Sequence, residues 1–260
     1  MSRAVGRAMP RDPGCAHKAA LRPFLARNPF PDPTTLGFFY REKMRALHRI
    51  APRAAPGRIL DIGGGQSGVT ALLYPDAQVT TLDLEPGYGR APPNRWTGVD
   101  FVCGDATALP FAEASFDAVM LLDLLEHVPD DASVAREALR VLRPGGFALV
   151  STPRDTWRFP YHGALRPLCP NEAALFAEWG HVRRGYSLGA LERLFGGPPA
   201  ATGGFITAAT ALGHDISFAR LGHRARKALW LAASPLTYLG YALDRHSRSG
   251  TEWLALWVKP

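Results

Sequence analysis

The sequence predicts an α/β fold, a mostly parallel sheet with helices on both faces. Three observations carry that prediction. From residue 58 onward, short apolar runs alternate with helical segments in the rhythm of parallel strands joined by crossovers. The first run ends in a carboxylate and enters a glycine-dense turn, Gly57-Arg58-Ile59-Leu60-Asp61-Ile62-Gly63-Gly64-Gly65-Gln66-Ser67-Gly68, which opens a helix. The 260 residues, 47% of them hydrophobic, suffice for one full core with appendages rather than a second independent domain.

Residues 1–33 are basic and broken by Pro10, Pro13, Pro23, Pro29, Pro31 and Pro33, so they read as a partly disordered arm with one helical turn near 18–25. The folded domain then covers 34–260. Thr34 or Thr35 is expected to cap a helix that carries Phe39, Met44, Leu47 and Ile50 on overlapping faces and ends at Pro52. Its aromatics Phe38, Phe39 and Tyr40 read as core or lid. Strands are expected at 58–62, 78–82, 100–103, 116–122 and 146–151, and helices at 67–74, 131–142 and 187–195. Asp130 or Asp131 caps the second of these helices and Pro144-Gly145-Gly146 ends it, while Ser187 caps the third. Extended segments near 204–210 and 252–258 complete seven strands.

Two stretches fall outside this rhythm. Residues 153–186 hold Trp157, Phe159, Tyr161, His162, Trp179, His181 and Tyr186 with little periodicity. Long irregular connections in compact domains are often functional, which makes this the substrate-side insert. Residues 228–243 are apolar, interrupted by Ser234, Pro235 and Thr237 and flanked by Arg224, Arg226, Lys227, Arg245 and Arg248. Sixteen residues are too few to span a bilayer, leaving a buried helix pair bent at Pro235 or a helical appendage lying at an interface.

Composition bounds the function. Cys15, Cys103 and Cys169 form no CxxC pair and are odd in number, so neither a disulfide scaffold nor a metal site is expected. A reducing cytoplasm fits, and neither a spanning run nor a secretory signal pattern is found. The net charge of +7 is concentrated at one end, since residues 1–60 hold 12 Lys and Arg against 3 Asp and Glu. Such an arm reads as a solvated extension, a targeting segment, or a contact for nucleic acid or an anionic membrane.

The glycine turn carries the chemistry. Glycines at 63, 65 and 68 let the backbone turn sharply and leave no Cβ to hold a ligand away, while the following helix offers unpaired N–H groups. A carboxylate at Asp61 suits a cationic adenosyl ligand, whereas a pyrophosphate gains nothing from negative charge there. Asp83, twenty residues past Gly63, serves either class, because a carboxylate accepts two ribose hydroxyls whether the ribose belongs to NAD or to an adenosyl sulfonium.

Further residues follow in order: Gly104-Asp105-Ala106, Ser115-Phe116-Asp117-Ala118-Val119, Leu125-Glu126-His127-Val128 and Leu139-Arg140-Val141-Leu142-Arg143-Pro144-Gly145-Gly146. Together they resemble the class I S-adenosylmethionine-dependent methyltransferases, most closely the type 11 group, over about residues 57–195. The resemblance implies a Rossmann-like seven-stranded sheet whose last strand is antiparallel, with S-adenosylmethionine as cofactor. It implies that Asp61 orders the turn and the methionyl end and that Gly63 and Gly65 pass beneath the cofactor. It further implies that Asp83 binds the ribose and that Asp105 accepts the adenine amino hydrogen, with Ala106 beside the ring. Leu122 and Asp123 would lie near the sulfonium. The turn departs from the GxGxG spacing of the family, because Gln66-Ser67 separates Gly65 from Gly68, which leaves the role of Gly68 open.

The expected activity is methyl transfer to a small molecule, a lipid, isoprenoid or secondary metabolite, by a cytoplasmic or membrane-peripheral enzyme. His127 is the candidate general base, with His162, His181, Tyr161 and Tyr186 as rivals, although aligning acceptor and methyl donor supplies most of the acceleration. RNA methylation is the first alternative and rests on the basic arm alone. No Asp/Asn-Pro-Pro-aromatic set follows the fourth strand, and Cys169-Pro170 lies outside the place of a cytosine-attacking cysteine. A dinucleotide-dependent oxidoreductase using the same turn is the second alternative, and a non-enzymatic adenosyl-binding protein the third.

Overall fold

In the computed structural model, which describes residues 17–244 and 249–260, seven strands form one sheet in the order β3-β2-β1-β4-β5-β7-β6. The strands are β1 (Arg58–Ile62), β2 (Gln78–Asp83), β3 (Val99–Cys103), β4 (Phe116–Leu122), β5 (Leu142–Pro153), β6 (Ala201–Phe205) and β7 (Glu252–Val258). All pairings among β1 to β5 are parallel, and β7 inserts antiparallel between β5 and β6. The expected sheet class, including the antiparallel last strand, is the one found.

Alternation along the strands divides the core into two layers. Ile59, Val79, Ala118, Met120, Leu149 and Leu254 face one side, under α2 (Gly37–Ile50) and α3 (Val69–Leu73). Leu60, Ile62, Val119, Leu121, Val150 and Ala255 face the other, under α4 (Asp131–Val141) and α6 (Leu188–Phe195). The Asp130 and Ser187 side chains cap α4 and α6 by accepting the N–H groups of Ser133 and Ala190.

Several boundaries differ from expectation, each for a local reason. Helix α3 begins at Val69 rather than 67 because Gly68 is left-handed, with φ 61°. Neither Thr34 nor Thr35 caps α2, since both turn back onto Asp32 and the cap position falls to Leu36. Helix α4 stops at Val141, and the expected terminator Pro144-Gly145-Gly146 instead lies within β5, where the pairing register with β4 shifts. Strand β6 runs from Ala201 to Phe205 rather than over 204–210. It includes Gly203 and Gly204, which composition argues against, because a Cβ on Gly203 would press on Ile50 of α2 at 3.2 Å.

Of the expected N-terminal arm, residues 1–16, with Cys15, lie outside the described residues, and 17–33 pack onto the domain. Phe24 of α1 (Leu21–Ala26) is fully buried. Lys18 Nζ donates to the carbonyls of His48 and Ala51 at 2.5 and 2.6 Å, closing the C-terminal end of α2. The insert folds into α5 (Glu172–Trp179), capped by Asn171 and ended at left-handed Gly180. The 228–243 stretch belongs to one helix, α8 (His223–Leu243), which continues through Pro235 and packs on α7 (Ala211–Ser217), so it is neither a bent pair nor wholly buried. Arg245 and Arg248 lie outside the described residues. Among those described, no helix is long and apolar enough to cross a membrane.

Candidate functional site

Strand order reverses direction between β1 and β4, so the crevice beyond their C-terminal ends is the topological switch point where ligands of open α/β sheets bind. The glycine turn forms its floor. Gly63 and Gly65 are left-handed, with φ of 69° and 55°. A Cβ on Gly63 would lie 2.7 Å from Leu124 Cδ1, whereas one on Gly65 would meet nothing closer than 3.9 Å and would project into the groove. Gly64, which the sequence pattern did not single out, packs on the Asp61 carboxylate, where a Cβ would stand 2.7 Å from Oδ2. Gly68 lines none of the cavities around the turn; a Cβ there would strike Pro93 at 2.5 Å, so packing and its left-handed backbone require glycine.

The carboxylates stand around this floor. Asp61 is 3% exposed and its Oδ1 has no hydrogen-bond partner. Burial pushes its pKa up to about 6, against the pull of the Thr70 hydroxyl and then of Lys43. Asp83, at the end of β2, accepts the N–H groups of Gly65 and Glu85, both at 3.1 Å, and so fixes the turn as well as edging the groove. Asp105 accepts the backbone N–H and hydroxyl of Thr107, both at 2.8 Å, which hold its carboxyl below the usual range. Gly104, Asp105 and Ala106 extend the groove from the glycine turn past Asp83, a cavity of about 660 Å³. A smaller polar cavity of about 230 Å³ lies over the turn itself, bounded by Asp61, Gly63, Gly65, Leu122 and Asp123 and closed by Tyr40 and Lys43.

A second compartment adjoins it. Trp157, Phe159, Tyr161, Trp179 and Phe218 wall an apolar cavity of about 340 Å³ whose polar end is made by Asp123, Glu126, His127, His181 and Glu252. Trp157 stacks on Phe159 and Phe176, and Trp179 packs on Phe218 at 5.3 Å. Asp215 of α7 anchors the insert by accepting the N–H groups of Tyr161 and His162 at 2.8 Å. Asp123 lines all three cavities. It occupies a left-handed position unusual for a non-glycine residue, with φ 55°.

Charge at this junction is unbalanced. Lys43 Nζ pairs with Asp123 Oδ2 at 2.6 Å, and Ser151 donates to Asp123 Oδ1 at 2.5 Å. Burial alone would lower the Lys43 pKa, but Asp123 and Tyr40 hold it above the ordinary lysine value. Glu126 is 1% exposed and accepts the Thr152 hydroxyl at 2.9 Å; burial and then Asp123 push its pKa up to about 8. Glu252 is raised well above the usual range by the same causes.

The structure separates the candidate bases. His127 faces both the groove and the aromatic cavity, with Nδ1 3.3 Å from the Gly180 carbonyl. His181 stands beside it, ring centroids 4.8 Å apart, and burial and then His127 lower its pKa to about 4, which keeps it neutral. Tyr161 lines the cavity with its hydroxyl bonded to Trp157 and Thr251. His162 is instead held by Asp215, and the Tyr186 hydroxyl is bonded to Asp131 and the Leu125 carbonyl, so neither enters the cavity. Donor atoms of Glu126, His127 and His181 lie within 4.8 Å of one another, a spacing open to a metal ion. Lys43 and Glu252 are functional candidates that sequence reasoning missed. A signal for Lys43 existed, since a lysine sits in the stripe formed by Phe39, Leu47 and Ile50; for Glu252, at the start of a strand, none did.

The chain is similar to known methyltransferases in sequence and in fold. Residues 60–150 match the family model described as a methyltransferase domain, of the type 11 set. The chain is 42% identical over 112 residues to demethylmenaquinone methyltransferase of Renibacterium salmoninarum, covering 42% of this chain and 47% of that protein. It is 30% identical over 167 residues to 2-methyl-6-phytyl-1,4-hydroquinone methyltransferase of Synechocystis, covering 58% and 51%. The chain thus spans about half the length of these curated relatives. A solved structure from Pyrococcus horikoshii superposes with a TM-score of 0.55 at 18% identity, over 89% of this chain and 96% of that one, a likeness of fold.

Proposed function

We propose, from the premise that the chain belongs to the type 11 group of class I S-adenosylmethionine-dependent methyltransferases, that it methylates a small apolar acceptor held in the aromatic cavity. One observation carries the reading: the groove over the glycine turn and the aromatic cavity meet at Asp123, so a ligand in each would touch at a single junction. The residues present fit the cofactor. Around the open face of Gly65, Asp61, with one oxygen free of hydrogen bonds, and Asp123 outnumber Lys43, a net-acidic cradle suited to a cationic adenosyl ligand rather than a pyrophosphate. Asp83 would hold the ribose and Asp105 the adenine, with Leu122 and Asp123 beside the sulfonium. When bound, S-adenosylmethionine supplies an electrophilic methyl group.

The chain's own residues then align and exclude water. Flat aromatic walls suit a planar or isoprenoid acceptor, matching the quinone-type compounds named for the two relatives, and a peripheral membrane contact belongs to the same reading. His127 would take a proton from an acceptor hydroxyl, a role supported by its ring bordering both compartments. Incubating cell extract with methyl-labelled cofactor and protein, and following label into small molecules by mass spectrometry, tests the function. Tight binding of NAD(H) without binding of S-adenosylmethionine would favour the oxidoreductase instead, and label in RNA alone would favour the other alternative.

Two variants test the assigned roles. Asp83→Ala is expected to weaken cofactor binding by about 2 kcal/mol, from lost charge-assisted bonds to the ribose and a loosened Gly65; unchanged affinity by calorimetry would refute the assignment. His127→Ala is expected to cut turnover at saturating cofactor by about a hundredfold while leaving cofactor affinity in place. Full turnover would make His127 a brace for the Gly180 carbonyl.

A further inference from the structure

Helix α8 has a fixed inner face. Trp230, Thr237, Gly240 and Tyr241 are buried, and Phe38 of α2 packs against Trp230 and Tyr238 at 5.7 and 5.8 Å. Gly240 lets the helix approach the Ala209 carbonyl so closely that a Cβ would stand 2.2 Å from it. The Arg45 guanidinium lies over the Tyr241 ring at 3.4 Å and donates to the Tyr241 carbonyl. These contacts decide which side of the helix turns outward.

The outward side is apolar along its length. Leu231, Leu236, Leu239 and Leu243 are 71, 63, 56 and 76% exposed, and Ala228, Ala232, Pro235 and Ala242 fill the spaces between them. No charged side chain occurs from 228 to 243. Half of the exposed large apolar residues among those described lie on this one helix, a clustering that scattered surface leucines do not explain. Exposed Arg220, His223, Arg224 and Lys227 cluster at its N-terminal end, with Asp32 facing His223 and Lys227, and charge resumes in the sequence only past its C-terminal end, at Asp244, Arg245 and Arg248.

An apolar face ending in a cationic cluster matches the acyl and phosphate layers of an anionic bilayer surface. A helix of 21 residues is about 30 Å long, and lying in the interfacial plane it would present all four leucines together. Helix α2 links α8 to the proposed acceptor cavity. Leu36, 38% exposed, borders that cavity and lies two residues before Phe38, on which α8 packs.

We propose that α8 docks the protein on anionic membrane surfaces, and that the acceptor is a membrane-resident amphiphile entering past Leu36. The second part rests on the methyl-transfer reading; the docking does not. Cosedimentation of the full chain with vesicles tests it, comparing phosphatidylglycerol–phosphatidylcholine mixtures with phosphatidylcholine alone, at low and high salt. Binding to the anionic vesicles, weakened by salt, is expected. Leu231→Gln/Leu239→Gln should lower the partition coefficient by at least about tenfold, because both side chains leave water on docking. Val258→Thr, at an exposed apolar residue of β7 rather than α8, should not change it.

The proposal is overturned if the wild-type chain stays in the supernatant with every vesicle, or if the double variant binds as well as wild type. It is also overturned if sedimentation velocity finds a vesicle-free dimer that the double variant dissociates, since a second copy then covers the face. Calorimetric binding of S-adenosylmethionine, expected to be equal in wild type and double variant, keeps a failure of docking distinct from a failure of the methyl-transfer reading.

Discussion

Lys43→Met is expected to lower the unfolding free energy by about 3 kcal/mol at neutral pH, the cost of leaving a half-buried carboxylate without its partner. Lys43 is 3% exposed, and its ammonium is 2.6 Å from Asp123, which borders the cavity end that holds Glu126 and Glu252. Methionine preserves most of the volume, so the loss measures charge rather than packing. The figure sits at the low end for buried pairs because the Asp123 side chain is 23% exposed and partly wetted. Adding Asp123→Asn should recover most of the loss, since the orphaned charge is then gone. Urea unfolding of the two single variants and the double variant gives the coupling directly. An unchanged midpoint in Lys43→Met would mean that Ser151 alone satisfies Asp123.

That ion pair marks the limit of what the sequence discloses. The strand, the glycine turn and the carboxylates Asp61, Asp83 and Asp105 are legible because each is placed by its own strand end, within a few residues of a glycine or a turn. The rhythm of short apolar runs and helical segments carries the α/β class, while the seven-stranded sheet with its antiparallel last strand is what the family resemblance implies. Lys43 and Glu252 are a different case. Lys43 reaches Asp123 from 80 positions away, on a helix whose seating depends on β6 and β7. Glu252 enters the cavity only because β7 inserts beside β5, pairing Glu252 with Pro153. Such contacts depend on tertiary packing, which no local pattern encodes. Gly68 teaches the converse: a glycine in a ligand-binding spacing is there for Pro93 and for its own left-handed backbone.

Glu126→Gln is expected to stabilise the protein at alkaline pH and to flatten its pH dependence. The folded pKa of Glu126 is about 8, raised from an ordinary 4.5 by burial and by Asp123. Between those values the folded state holds a proton that the unfolded state has lost. The stability it supports is therefore fully present below about pH 4.5 and is lost as pH rises through about 8. Glu252 and Asp61, also raised, act with the same sign. Each pKa unit corresponds to about 1.4 kcal/mol, so the loss between about pH 5 and pH 9 approaches 3 kcal/mol for Glu126 after sharing among interacting groups. Glutamine keeps an acceptor for the Thr152 hydroxyl and stays neutral throughout. Unfolding midpoints measured across that range should fall steeply for wild type and less steeply for the variant, with the curves converging at low pH. Parallel curves would show that Glu126 is already ionised in the folded protein, with Lys43 compensating two carboxylates rather than one.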